Sequence, residues 1–255
     1  MPRFAANLSL LWPDLPYLDR FDAAAKAGFT GVEVLFPYDA HAKETQAALE
    51  ANGLSFVLLN APGPNYTGGT ERGFAAVPAM QGRFAYDLRR AFRYAEALGA
   101  EILHIMAGPA SGAEARACFV QNLRDAAAQA PEGLTLTIEP LNQHDQPGYF
   151  LSDFDRACEI IAEVGAPNLG LQYDTYHAAR IHGDALGVFE RCLPFIRHVQ
   201  IGDAPDRSAP GTGTLDFAAL FAAFDDSGYT GWTSAEFHPK GRTDKELGWM
   251  KGFAR

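Results

Sequence analysis

Cysteine is scarce: Cys118, Cys158 and Cys192 are the only three in 255 residues. They lie far apart and no CxxC pair occurs, which argues against a zinc knuckle and against a disulfide framework. All three fall in helix-like segments, where packing thiols are expected. No apolar run approaches the roughly 18 residues of a membrane span. The opening MPRFAANLSLLWPD is broken by Asn7, Pro13 and Asp14 and does not read as a secretory signal, so a cytoplasmic protein is the expectation. Positive charge is also short. Lys and Arg number 21 against 31 Asp and Glu, a net charge of -10, with no basic cluster. Such a chain is ill suited to a nucleic-acid backbone or an anionic membrane surface. GxGxxG, Walker A and GxSxG are all missing, so no nucleotide cofactor is expected.

What the chain does have is alternation. Eight strand-like segments, FAANLS, GVEVLF, SFVLLNA, EILHIMAG, LTLTIEP, LGLQYDTYH, IRHVQIGD and GWTSAEFHP, are each followed by a helix-like one. The sixth helix, near ALGVFERC, is weaker, and the last falls near DKELGWMKG. Gly28 and Gly165 mark two of the helix ends. Strands separated by helices imply right-handed crossovers and a parallel sheet. Eight such units fit an α/β fold with a single closed (β/α)8 barrel, a TIM barrel, over residues 1–255. A doubly wound sheet competes less well, because LLWPDLP rather than a phosphate loop follows the first strand. Two loops are long, Pro62 to Gln81 after strand 3 and APDRSAPGTGTLD after strand 7. Both would overhang the C-terminal face.

Four successive strands end on an oxygen donor: Glu139, Asp174, Gln200 and Glu236. Each lies on the face opposite the apolar one. Leu134, Leu136 and Ile138 alternate with Thr135, Thr137 and Glu139, and the other three strands keep the same phase. In a barrel the apolar face packs under helices, so all four donors converge at the mouth. At about 4 Å and an effective dielectric near 20, each pair of carboxylates repels by roughly 4 kcal/mol. A divalent cation removes that cost, and an all-oxygen ligand set favours Mg²⁺ or Mn²⁺. Glu33 and Asp203, also near strand ends, read as rim or supporting residues. Trp12, Phe36, Tyr38 and Tyr66 are candidates to wall a pocket, and His198 reads as an interior histidine.

With IEPLNQHDQPGYFL, QYDTYH, HVQIGDAPDR, PGTG and GWTSAEFHP on the page, the chain resembles the hydroxypyruvate isomerase family of the xylose-isomerase-like barrels. The resemblance runs nearly end to end. It implies a divalent metal held by Glu139, Asp174, Gln200 and Glu236, with Glu139 and Glu236 moving the proton. It implies substrate contacts at His177 and Arg207, with Glu71 of the ERG motif beside them, and an acidic position at Asp145. The implied reaction is aldose–ketose type isomerisation of a short 2-keto acid, hydroxypyruvate to tartronate semialdehyde, through a metal-stabilised enediolate. The substrate carboxylate needs donors, for which Arg72, Arg207 and Lys240 are candidates. Ala209 and Thr214 stand where isomerases of this family carry acids, and His238 where a basic residue is common. These departures bear on the substrate. A 2-oxo-tetronate isomerase, a ketose 3-epimerase and a non-catalytic sugar or metal binder are the alternatives, with a zinc endonuclease less suited to so acidic a chain. The expected partner is a small keto acid or sugar acid, with neither nucleic acid nor membrane, and a homo-oligomer stays open.

Overall fold

Eight parallel strands close on themselves in chain order in a computed structural model whose described residues are 3–62 and 73–253. The staves are β1 (Arg3–Asn7), β2 (Gly31–Glu33), β3 (Ser55–Asn60), β4 (Ile102–His104), β5 (Thr135–Ile138), β6 (Leu169–Asp174), β7 (Ile196–Ile201) and β8 (Trp232–Ala235). Closure comes from pairing of Arg3 to Ala6 with Trp232 to Ala235. The connecting helices are α1 (Asp19–Lys26), α2 (Ala42–Asn52), α3 (Gln81–Leu98), α4 (Gly112–Gln129), α5 (Phe154–Val164), α6 (Thr175–His182), α7 (Ala185–Cys192), α8 (Phe217–Asp226) and the short α9 (Met250–Phe253). The TIM barrel expected from the alternation is the fold observed. No helix among the described residues is long and apolar enough to cross a membrane.

The period-two pattern explains the layering. Leu136, Ile138, Leu169, Leu171, Tyr173, Val199, Ile201 and Ala235 leave the barrel outward and join the helices in the main apolar core. The opposite faces fill the interior. Trp232 points inward at the N-terminal end, packs with Ala5, Val57 and Ile102, and donates from Nε1 to Glu101 at 3.0 Å. Gly31 makes room for that indole, because a Cβ there would meet Trp232 Cζ3 at 2.7 Å. Gly165 ends α5 in the left-handed conformation at φ 69°, the conformation its sequence position suggested.

Two segments differ from their expected form. Where one weak helix was expected after β6, two occur: Asp174 caps α6 by accepting from Tyr176 N–H, and Asp184 caps α7 by accepting from Gly187 N–H. The helix expected near DKELGWMKG is reduced to a 3-10 turn (Thr243–Lys245) and the four-residue α9. Thr243 Oγ1 accepts from Trp12 N–H and Asp244 accepts from the Trp12 indole at 2.8 Å. That segment is therefore tied to the β1–α1 loop rather than wound continuously.

The loop after β7 and the described end of the loop after β3 lie at the C-terminal face. The described limb of the first bridges β4's exit, with Gly73 opposite Ala107 and Ala76 N–H donating to Ala107 O at 2.7 Å. The second is built around buried Asp203. Its carboxylate accepts N–H bonds from Gly211, Gly213 and Leu215 at 2.9, 2.8 and 3.0 Å. Glu71, Arg72 and Tyr66 lie outside the described residues.

Candidate active site

The mouth of the barrel gathers the strand-end acids. Glu139 and Glu236 follow β5 and β8 directly, and Asp174 and Gln200 are paired across β6 and β7. All four are buried. Glu139, Asp174 and His177 present ligand atoms within 4.8 Å of one another, a group able to hold a metal ion. Arg207 links two of the acids, its Nη2 donating to Asp174 Oδ2 and to Glu236 Oε1, both at 2.7 Å. Its Nη1 lies 3.1 Å from His177 Nε2. Arg207 adopts φ 54°, unusual for a residue with a side chain, and the loop anchored by Asp203 carries it.

Under this ring lies a second polar layer. Thr137 donates to Gln172 Oε1, and Gln172 Nε2 donates to both Glu139 Oε2 at 3.0 Å and Gln200 Oε1 at 2.7 Å. Glu33 receives Asn7 Nδ2 at 3.2 Å and Gln200 Nε2 at 3.0 Å, and also contacts His198 Nε2. Glu33 fixes the Gln200 amide: with its NH₂ on that carboxylate, its oxygen must face Gln172 and the mouth. Glu33 is thus fully buried inside the barrel rather than at the rim. His198 is the interior histidine expected. Gln172 shares the inward face with Asp174 two residues on, as strand parity predicts; its bonds to Glu139 and Gln200 are what the structure adds.

Electrostatics reflect the crowding. Burial first, then the Glu236 and Asp174 charges, push the Glu139 carboxyl well above its ordinary value. Burial lifts Glu236 to about 8 and Asp174 to about 6, with Arg207 opposing the rise in each. Asp174 also sits at the N-terminus of α6, where Tyr176 and His177 N–H groups favour its charge. Burial and Arg207 push His177 well below the usual range, so it is neutral. Its Nδ1 accepts from Asn142 N–H at 3.1 Å, which leaves the proton on Nε2, facing Glu139 and Asp174 at 4.0 and 3.9 Å. Asp145 is partly buried, but bonds from His144, Asn142 and Tyr176 hold it at about 2.

A cavity of about 480 Å³ opens above these groups, with Leu10, Leu35, Met106 and Leu141 on its apolar wall and Arg207, His144 and His238 among its polar lining. Arg207 is the sole Lys or Arg lining it among the described residues. Lys240 stays outside, exposed and 3.6 Å from Asp206. Trp12, a candidate wall, instead lines a separate depression of about 690 Å³ between the β1–α1 loop and the C-terminal segment, away from every strand-end acid. Tyr38 donates to Asn60 O and Phe36 lines another groove, so neither walls the mouth.

A closed (β/α)8 barrel with buried acids at the C-terminal ends of its strands defines a class: the barrel enzymes whose chemistry is seated at the strand ends. The profile of the xylose isomerase-like TIM barrel family matches residues 21–253. The 2-oxo-tetronate isomerase of Cupriavidus necator is 43% identical over 99% of this chain and 99% of its own length. The hydroxypyruvate isomerase of Escherichia coli is 39% identical over 98% of each. A crystal structure from Brucella melitensis, described as an AP endonuclease of family 2, superposes with a TM-score of 0.95 at 39% identity, covering 99% of both chains. The chain belongs to the xylose isomerase-like TIM barrels and, within them, to the family of hydroxypyruvate and 2-oxo-tetronate isomerases, a family of isomerases.

Proposed function

We propose that this chain is a metal-dependent isomerase that interconverts a short 2-keto acid and its aldehyde isomer, of the hydroxypyruvate and tartronate semialdehyde type. The observation that carries the reading is a pair of buried oxygens. Glu139 Oε1 and Glu236 Oε2 have no hydrogen-bond partner, although both are shielded from water. Buried carboxylate oxygens are costly unless paired. The donor set of Glu139, Asp174, Gln200 and Glu236 therefore suits a hard divalent ion, Mg²⁺ or Mn²⁺. When bound, such an ion supplies Lewis acidity that polarises the ketone and its neighbouring hydroxyl.

The chain's own residues do the rest. One of Glu139 and Glu236 accepts the proton leaving C3, and the other delivers a proton to C2. The hydroxyl proton passes from O3 to O2, so atoms balance without any redox partner. His177, neutral with its proton on Nε2, donates to a substrate oxygen. Arg207 supplies the positive charge that a substrate carboxylate needs. Apolar Leu35 and Met106 on the cavity wall limit water around the reacting carbons. Glu71 and Arg72 are proposed to contribute to substrate binding as well.

The four-carbon 2-oxo-tetronates are the second reading. The Cupriavidus relative bears that name. A ketose 3-epimerase would use the same facing carboxylates. The endonuclease description of the Brucella structure is not carried over, because a chain of net charge -10 with an acidic mouth repels a phosphodiester backbone. The deciding experiment follows product by NMR in D₂O with hydroxypyruvate, 2-oxo-tetronates and ketoses, after chelation and again with Mg²⁺ or Mn²⁺. Metal-dependent product from a keto acid is expected. No product and no solvent deuterium in any substrate would leave a binder instead.

A further inference from the structure

Arg207 is in an unusual position for a residue that greets substrate. Its Nη2 bridges Asp174 Oδ2 and Glu236 Oε1, on two of the carboxylates proposed to hold a cation. Asp174 Oδ1 accepts from Tyr176 N–H at 2.8 Å, so Oδ2 is the oxygen turned to Arg207. The remaining guanidinium nitrogens are held less well. Nε reaches Glu236 O at 3.3 Å, and Nη1 faces a His177 nitrogen that carries its own proton, so two donors meet. The guanidinium is therefore held chiefly by the two acids. A dication placed among the same carboxylates would draw on the negative charge that Arg207 neutralises and would repel it at close range.

Resting on the metal reading above, we propose that Arg207 and the divalent cation compete for Asp174 and Glu236, so that ion entry releases the guanidinium into the cavity. The side chain acts as an internal counter-ion. It neutralises the acids until the metal arrives, then turns to the substrate carboxylate. Metal loading thereby prepares the carboxylate site, which orders the two binding events. The left-handed backbone at Arg207 and the Asp203 anchor keep the residue at the rim while its side chain swings.

The alternative is a brace: Arg207 stays on the acids and helps them hold the ion. Binding of Mn²⁺ alone, followed by calorimetry on chelator-treated protein, separates the two. Competition predicts that Arg207→Gln binds Mn²⁺ roughly tenfold or more tightly than the wild type, because the rival cation is gone. Arg207→Lys, which keeps the charge, should stay closer to the wild type. An unchanged or weaker affinity in Arg207→Gln overturns the proposal and leaves the metal site standing. Absence of Mn²⁺ binding in both proteins overturns both readings. Should Arg207→Gln fail to fold, the wild type gives the answer on its own. The Arg207 Nε–H resonance should shift on adding diamagnetic Mg²⁺, and a resonance that does not move as the site saturates overturns the competition.

Discussion

Replacing Glu139 or Glu236 with glutamine removes a charge and a proton acceptor while keeping the volume. Both side chains are buried at the mouth with one unpartnered oxygen, so the fold should survive. Turnover should drop by a factor on the order of 10² to 10⁴ in each, the usual contribution of a positioned acid or base. Parallel circular dichroism and initial-rate measurements check this, and a fully active Glu236→Gln would remove that residue from the mechanism. Gln172 offers a subtler test. Gln172→Leu strips a donor from Glu139 and from Gln200 while leaving the four proposed ligands in place. Loss of such outer partners typically weakens metal binding by about 10- to 100-fold. Titration with Mn²⁺ reads it, and an affinity equal to wild type would make Gln172 mere filling.

Strands and loops carry the next set of consequences. Asp203 supplies acceptors for three N–H groups of the loop after β7, so Asp203→Ala removes three bonds each worth about 0.5–1.5 kcal/mol net. A lower urea midpoint is expected together with a raised KM, since that loop carries Arg207; a changed midpoint with an unchanged KM would separate the loop from substrate. Gly31→Ala would push a methyl into Trp232 and Val57 at 2.7 and 2.8 Å, so reduced thermal stability with little change in site chemistry is the expected outcome. The strand-end acids were legible because alternation along a strand assigns each residue to a face, and Glu139, Asp174, Gln200 and Glu236 share one. The links between strands were not. Glu33 holding Gln200 joins β2 to β7, and only closure of the barrel brings those staves opposite each other. The tail was misread because Thr243 and Asp244 spend their side chains on Trp12, a partner more than two hundred positions away.

For the molecule as a whole, the crowded acids couple stability to pH. Glu236 and Asp174 hold protons more tightly folded than unfolded, about 8 against 4.5 and about 6 against 3.8, with burial the largest cause in each. The native state therefore carries extra protons inside those windows. Their contribution is fully present below the unfolded values and is lost as pH climbs through the folded ones. In chelator, the melting temperature should fall between about pH 5 and about pH 8. Added Mn²⁺ should raise it more at the upper end, where protons no longer compete for the ligands. A melting temperature that climbs across this range in chelator would contradict the crowding. Because β1 pairs with β8, synthesis imposes an order on assembly: Asn7 leaves the ribosome well before the stave that closes the barrel beside its strand. A nascent chain stalled before Trp232 offers chaperones an open sheet edge and a cluster of acids still lacking Glu236, so the site cannot be assembled until the eighth stave has been made.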